Sequence, residues 1–189
     1  MSGPIRLAGT FRLPDGARVT WTVADGGRGR RWRADSTADG VLTHALLIEV
    51  DPAGRVARLE LTTPVGLLTL HPDAVGTTLH GNIVTIAGVQ PVTFDWSREH
   101  ALSVDGRPIA DAVTAHHLTE TTRVGERRTV PVVAIAPDLS LREARHAFEP
   151  VRYRIWRITD EGGDRMLRLD DRGIPAGFAD ATEWPLEAE

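Results

Sequence analysis

Val41-Leu42-Thr43-His44-Ala45-Leu46-Leu47-Ile48-Glu49-Val50, followed after Asp51-Pro52-Ala53-Gly54 by Arg55-Val56-Ala57-Arg58-Leu59-Glu60-Leu61-Thr62-Thr63, is the stretch that decides the fold class. The first run is rich in strand-forming residues, and the second alternates polar with apolar side chains. Alternation sends successive side chains to opposite faces of a sheet, so this strand has one wet and one buried face. Turn residues between two such runs predict an antiparallel hairpin.

Upstream of this hairpin, Leu7–Leu13 reads as a strand closed by Pro14-Asp15-Gly16, in which proline presets φ and glycine accepts a positive φ. Ala17–Ala24 follows, with Val19, Trp21 and Val23 on one face. Gly26-Gly27-Arg28-Gly29 leads into the charged strand Arg30–Ala34. It does not stand between a strand and a long helix, so a hairpin connection explains it better than a phosphate loop. Downstream come Leu67–His71, Thr78–Ile86, Pro91–Trp96 and Ala101–Val104. Asp111–Thr122 is expected as a helix in preference to an irregular strand. Thr129–Ala136 reads as a buried strand, Leu139–Phe148 as a short helix with Ser140 as N-cap, and Val151–Ile158 and Arg165–Leu169 as strands. About ten short strands at this spacing predict a mainly β protein. The expected architecture is a curved antiparallel sheet forming an open or half barrel, with one or two short helices on its concave side. Without an internal repeat or a domain-splitting linker, a single domain over residues 1–189 is expected.

Composition narrows the function classes. The chain is 41% hydrophobic and 25% charged, in the range of an ordinary globular protein. All 22 basic residues counted as lysine or arginine are arginine, and the net charge is -4. No global positive field holds nucleic acid, and no nucleic-acid partner is expected. The absence of cysteine removes disulfides, thiolate nucleophiles and zinc-thiolate sites together. Met1–Arg6 lacks the basic head and apolar core of a signal peptide, and no apolar run approaches a membrane span. A cytoplasmic protein with no integral membrane association is the expectation.

There is no Gly-x-Ser-x-Gly elbow, Walker-type loop or His-Glu-x-x-His. The histidines give the next candidates. His44 falls in register with Leu46, Ile48 and Val50 on a core or cavity face. His71, His80 and His100 lie at or near strand ends. No two show the same-face i, i+2 spacing of a strand metal site, so neither a metal nor a cofactor is expected. Each histidine is a hydrogen-bonded structural residue or a polar group lining a ligand cavity, with His44 and His80 leading the second reading. Glu49 is expected on the wet face. A His44–Glu60 acid/base pair requires both side chains on one wall.

Among the five tryptophans, Trp21 and Trp96 alternate with apolar neighbours and are expected to face the core. Trp156 shares its face with Arg152 and Arg154, which suggests cation–π packing or a pocket rim. Arg28, Arg30, Arg31 and Arg33 around Trp32 read as a charge-protected strand edge, with a local anion site for a ligand head group as the alternative. The candidate ligand-lining set is His44, His80, Trp21, Trp96, Tyr153 and Trp156, with no catalytic residue assigned.

Val124-Gly125-Glu126, Val130–Ala136, Pro137-Asp138-Leu139-Ser140-Leu141, Phe148 and Val151-Arg152-Tyr153-Arg154 occur in an order that resembles the bacterial glycolipid-binding family. Leu169-Asp170-Asp171-Arg172-Gly173 looks like that family's last strand and turn. The likeness covers the final third of the chain and departs from the family's pattern at Leu118–Thr122 and at Arg145–Phe148. It implies a half-open antiparallel barrel similar to bacterial lipoprotein carriers, and a role in binding lipid or glycolipid. The expected function is therefore a binding module for a lipid-like or other hydrophobic small molecule. The alternatives are a small-molecule isomerase, cyclase or hydrolase with His44 or His80 as general base, and a scaffold working through an exposed sheet edge.

Overall fold

The computed structural model describes residues 5–13 and 16–178; Trp184 and the chain beyond residue 178 lie outside them. The strands divide between two antiparallel-rich sheets, each the centre of one compact unit. The first unit runs to Arg98 and includes Pro137–Leu139; the second comprises Glu99–Ala136 and Ser140 onward.

The first sheet is an eight-stranded antiparallel meander in chain order. It consists of β1 (Ile5–Arg12), β2 (Arg18–Gly26), β3 (Gly29–Ala38), β4 (Val41–Val50), β5 (Val56–Thr63), β6 (Gly66–Pro72), β7 (Thr78–Thr85) and β8 (Gly88–Asp95). The predicted hairpin at its centre forms, with Leu46 opposite Leu61 and Ile48 opposite Leu59. One face is apolar across the sheet: Val19, Trp21, Trp32, Ile48, Leu59, Leu61, Leu68, Leu70 and Leu79 are all buried. Truncating one such side chain, for example Leu61→Ala, costs about 2–5 kcal/mol through lost transfer energy and the cavity left behind. Gly9 is required by that packing. It pairs with Trp21, and a Cβ at Gly9 would lie 2.5 Å from the indole Cζ2.

Aspartates close several turns by accepting backbone N–H groups, the usual Asx arrangement. Asp51 Oδ1 accepts from Ala53 at 2.9 Å and Arg55 at 3.0 Å. Asp73 Oδ1 accepts from Gly76 at 2.6 Å and Thr77 at 2.8 Å. The bonds from Thr77, Thr78 and Gly76 favour the ionised carboxylate and hold Asp73 below its usual range.

The second sheet has six strands in the order β14-β13-β12-β11-β10-β9. These are β9 (Ala101–Val104), β10 (Arg128–Ile135), β11 (Leu141–Arg152), β12 (Ile155–Asp160), β13 (Gly163–Leu169) and β14 (Pro175–Phe178). One helix, α1 (Pro108–Leu118), links β9 to β10, which run parallel. A parallel pair needs a crossover of this kind, whereas the other strands are joined by short turns. The helix expected over Asp111–Thr122 is present, starting three residues earlier, whereas the parallel pairing of the strands it joins has no signal in an alternation pattern.

The helix touches β9 at one edge of this sheet and β13 and β14 at the other, so the sheet curls around it. Ala112 and Ala115 of α1 form one cluster with Ala101, Val130, Val132, Phe148, Trp156, Ile158, Leu167 and Leu169. Two alanines let the helix axis approach the strands while the large side chains come from the sheet. This is the mainly β, antiparallel half-barrel with a helix on its concave side that the strand pattern predicts.

There is one helix among the described residues, not two. Leu139–Phe148, expected as helix, is the turn into β11 and most of that strand. Arg142, Glu143, Ala144 and Arg145 are good helix formers, but pairing with β10 on one side and β12 on the other overrides that preference. Leu139 is fully buried and takes a left-handed φ of 67°, which turns the chain between β10 and β11. Ser140 is no N-cap; its carbonyl accepts the Ala136 N–H at 3.0 Å. Among the described residues no helix is long and apolar enough to cross a membrane.

Candidate functional site

Following the inward face of the second sheet along each strand reveals a change of chemistry. On β12 the inward residues run Trp156, Ile158, Asp160; on β13 they run Leu169, Leu167, Arg165; on β11, Phe148 gives way to His146. Register places Arg165 opposite Ile158 and Phe148 opposite Ile158 on the other side, so the polar residues share one end of the barrel wall. Asp111, in the first turn of α1, completes the group.

Arg165 is the hub. Its Nε and Nη2 donate to Asp111 Oδ2 at 3.0 and 2.8 Å, and its Nη1 donates to Asp160 Oδ2. His146 Nε2 lies 4.0 Å from the same Asp160 oxygen. Asp111 and His146 are 5% and 3% exposed, so both titrate far from bulk water. Burial pushes the Asp111 carboxyl above its ordinary range, and the Arg165 charge and hydrogen bonds only partly oppose it. Burial likewise lowers His146, against the pull of Asp111, and keeps the imidazole neutral near pH 7. Asp160 is also penalised by burial, but its bonds and attraction to Arg165 outweigh that and hold it low. The guanidinium loses solvation too, yet the charge of Asp111 raises it further.

Two polar atoms in this group, Asp111 Oδ1 and His146 Nδ1, are buried without a hydrogen-bond partner among the described residues. An unsatisfied buried acceptor or donor costs about 1–3 kcal/mol. Both atoms keep hydrogen-bonding capacity that the surrounding side chains leave unused. No set of three or more acidic or histidine side chains suited to a metal occurs among the described residues.

The residues singled out from sequence take other positions. In the first unit, His44 is half-buried on the inward face opposite the buried Ser36, with Leu46, Ile48 and Val50 farther along, as its register predicts. Trp21 and Trp96 are buried, at 6% and 8% exposure. The indole Nε1 of Trp21 has no hydrogen-bond partner among the described residues. His80 lies on the opposite face from His44. Leu79 and Gly81 alternate with it inward, while its own ring sits 4.1 Å from that of His71, its cross-strand partner. His44 and His80 thus share no wall.

Glu60 stands opposite Leu47 on the outer face and pairs with Arg58, which excludes the His44–Glu60 pair. Glu49 is on the outer face as well, bonded to Arg31 at 2.7 Å. In the second unit Trp156 is 2% exposed and part of the core against α1, not a rim residue beside arginines. A register shift between Pro150 and Arg152 and the left-handed φ of 60° at Arg154 break the alternation on which the rim reading rested. The cation–π contact falls instead on Tyr153, 76% exposed, with the Arg154 guanidinium 4.5 Å from its ring centre.

A crystal structure of a DUF1089 family protein from Pseudomonas aeruginosa has a similar fold, with a TM-score of 0.55 at 15% identity over 97% of this chain and 92% of that one. At this identity the likeness is one of fold alone. No family model and no curated protein matches the chain.

Proposed function

We propose that this protein binds a lipid-like or other hydrophobic small molecule in its half-barrel, with the polar end of the ligand at the Asp111–His146–Arg165 corner. The observation that carries this reading is the pair of buried, partnerless atoms, Asp111 Oδ1 and His146 Nδ1, at the polar end of an otherwise apolar wall. Ligand sites of this class are mostly apolar with a few convergent polar groups. A sugar or glycerol hydroxyl donates to the carboxylate and can also bond the imidazole, which fits the glycolipid that the C-terminal resemblance implies. The carboxylate already held by Arg165 keeps its second oxygen for such a donor.

Native mass spectrometry of protein purified without detergent tests the reading, together with titration of octyl glucoside below its micelle concentration. A co-purifying apolar adduct or saturable binding, weakened about tenfold in Asp111→Ala and His146→Ala, is the expected result. No adduct and no saturable binding would overturn it.

A second reading is favoured by one observation: a neutral imidazole flanked by two carboxylates has the makings of acid/base chemistry. A small-molecule isomerase, cyclase or hydrolase would then use His146 as general base, in place of His44 or His80. Its test is conversion of the co-purified molecule over time, abolished in His146→Gln while binding persists.

A further inference from the structure

The charged turn between β2 and β3 opens onto a groove of about 480 Å³ at one end of the eight-stranded sheet. Four arginines line it, Arg6, Arg28, Arg30 and Arg31, against two carboxylates, Asp25 and Glu49. The carboxylates are already engaged. Asp25 Oδ2 accepts from Arg30 Nη2 at 2.8 Å, with a second bond from Arg30 Nε to Oδ1. Glu49 Oε1 accepts from Arg31 Nε at 2.7 Å. Arg6 and Arg28 have no hydrogen bond or ion pair among the described residues. The groove therefore holds two uncompensated positive charges in a chain whose net charge is -4. Elsewhere many arginines are neutralised locally, as in Arg33–Asp35, Arg55–Asp51, Arg58–Glu60 and Arg157–Glu149.

The backbone shapes the groove. Gly29 is fixed by geometry: its φ is 108°, and a Cβ there would lie 2.0 Å from the Val50 carbonyl oxygen. Gly26 and Gly27 are different, because a Cβ at either would meet nothing within 4 Å. No neighbour demands glycine at those two positions, so no side chain from the tip of the turn fills the groove there; Gly26 itself pairs with Gly29 in the β2–β3 ladder. A short glycine-rich turn beside guanidinium forks is suited to oxyanions.

We propose that this groove is a binding site for a phosphate monoester, with Arg6 and Arg28 holding the dianion. Two free guanidiniums match two negative charges, and arginine donors match phosphate oxygens in pairs. The volume is far larger than one phosphate and falls in the range of small-molecule sites, about 300–1,000 Å³, so the phosphate is carried on an organic body. This site lies in the first unit and does not depend on the corner around His146.

The test is titration of 15N-labelled full-length protein with glycerol 3-phosphate, and separately with vesicles containing phosphatidic acid, while the amides of Gly26, Gly27 and Gly29 are followed by NMR. Saturable shifts at these amides are expected, with affinity about 10- to 100-fold weaker in Arg6→Glu and Arg28→Glu. Arg168→Glu, the same charge change at an exposed residue of the second unit, should leave affinity unaltered. Binding of glycerol 3-phosphate identifies a soluble ester; binding of vesicles alone, with the same dependence on Arg6 and Arg28, identifies a lipid headgroup. No saturable shift with either probe, or an equal loss in Arg168→Glu, overturns the proposal.

Discussion

Arg165 satisfies one carboxylate from the helix and another from the neighbouring strand, and its removal would strand Asp111 as a buried charge. Breaking such a pair from one side costs about 3–5 kcal/mol, far more than the pair itself contributes. Arg165→Met is expected to lower the unfolding free energy measured by chemical denaturation by that order, and adding Asp111→Asn should restore much of the loss. A double-mutant cycle measures this directly. His146 gives a pH signature. Its folded-state pKa is depressed, so below about pH 6.5 the unfolded chain binds a proton that the folded chain refuses. Stability is therefore full above the unfolded value and falls as pH drops toward the folded one, by up to about 1.4 kcal/mol per pH unit. Urea unfolding of the protein and of His146→Gln between pH 7.5 and 5 should show a steeper decline in the former. The Asp111–Arg165 contact at this corner is not legible from the letters. Asp111 and Arg165 are 54 positions apart, and only the curl of the sheet brings them together. Even so, the replacement of apolar by ionisable residues at His146, Asp160 and Arg165, one on each of three successive strands, was a signal open to a register-based reading.

At the scale of elements, alternation carried most of the fold. β2, β4 and β5 are recognisable because each presents a regular pattern to one apolar face, β10 because it is a short apolar run buried on both faces, and the turns carry aspartate or glycine where the backbone requires them. β11 was hidden because its exposed half is written in Arg, Glu and Ala, whose helix preference is weaker than the two ladders it joins. Trp156 was misplaced for a related reason: a period-2 reading carried through Arg154 ignores the turn that resets it. The helix makes a sharper prediction. Ala112 and Ala115 are 0% exposed and set the distance between α1 and the sheet. Ala115→Leu would force the helix off Trp156 and Leu167 and should cost about 1–3 kcal/mol. Ala115→Ser should cost less in volume and test whether size is the controlling factor. Thermal unfolding of both variants gives the comparison.

For the whole molecule, the excess of acidic over basic residues sets long-range behaviour. The net charge of -4 opposes a polyanion even though the β2–β3 turn is locally basic. No retardation of duplex DNA or single-stranded RNA is expected in a gel-shift assay at 150 mM salt, and a shift sensitive to salt would contradict that reading. The β9–α1–β10 connection bears on how the chain acquires its structure. All eight strands of the first sheet pair with their neighbours in sequence, so those contacts close only short loops. The β9–β10 pairing has to wait until an intervening helix of 11 residues has settled against the strands it crosses. Non-local, parallel pairing is slow because loop entropy is spent before any contact repays it. Pulse-labelled hydrogen exchange during refolding should protect amides of β4 and β5 early and those of β9 late, leaving that short edge the last open seam available to a neighbouring chain.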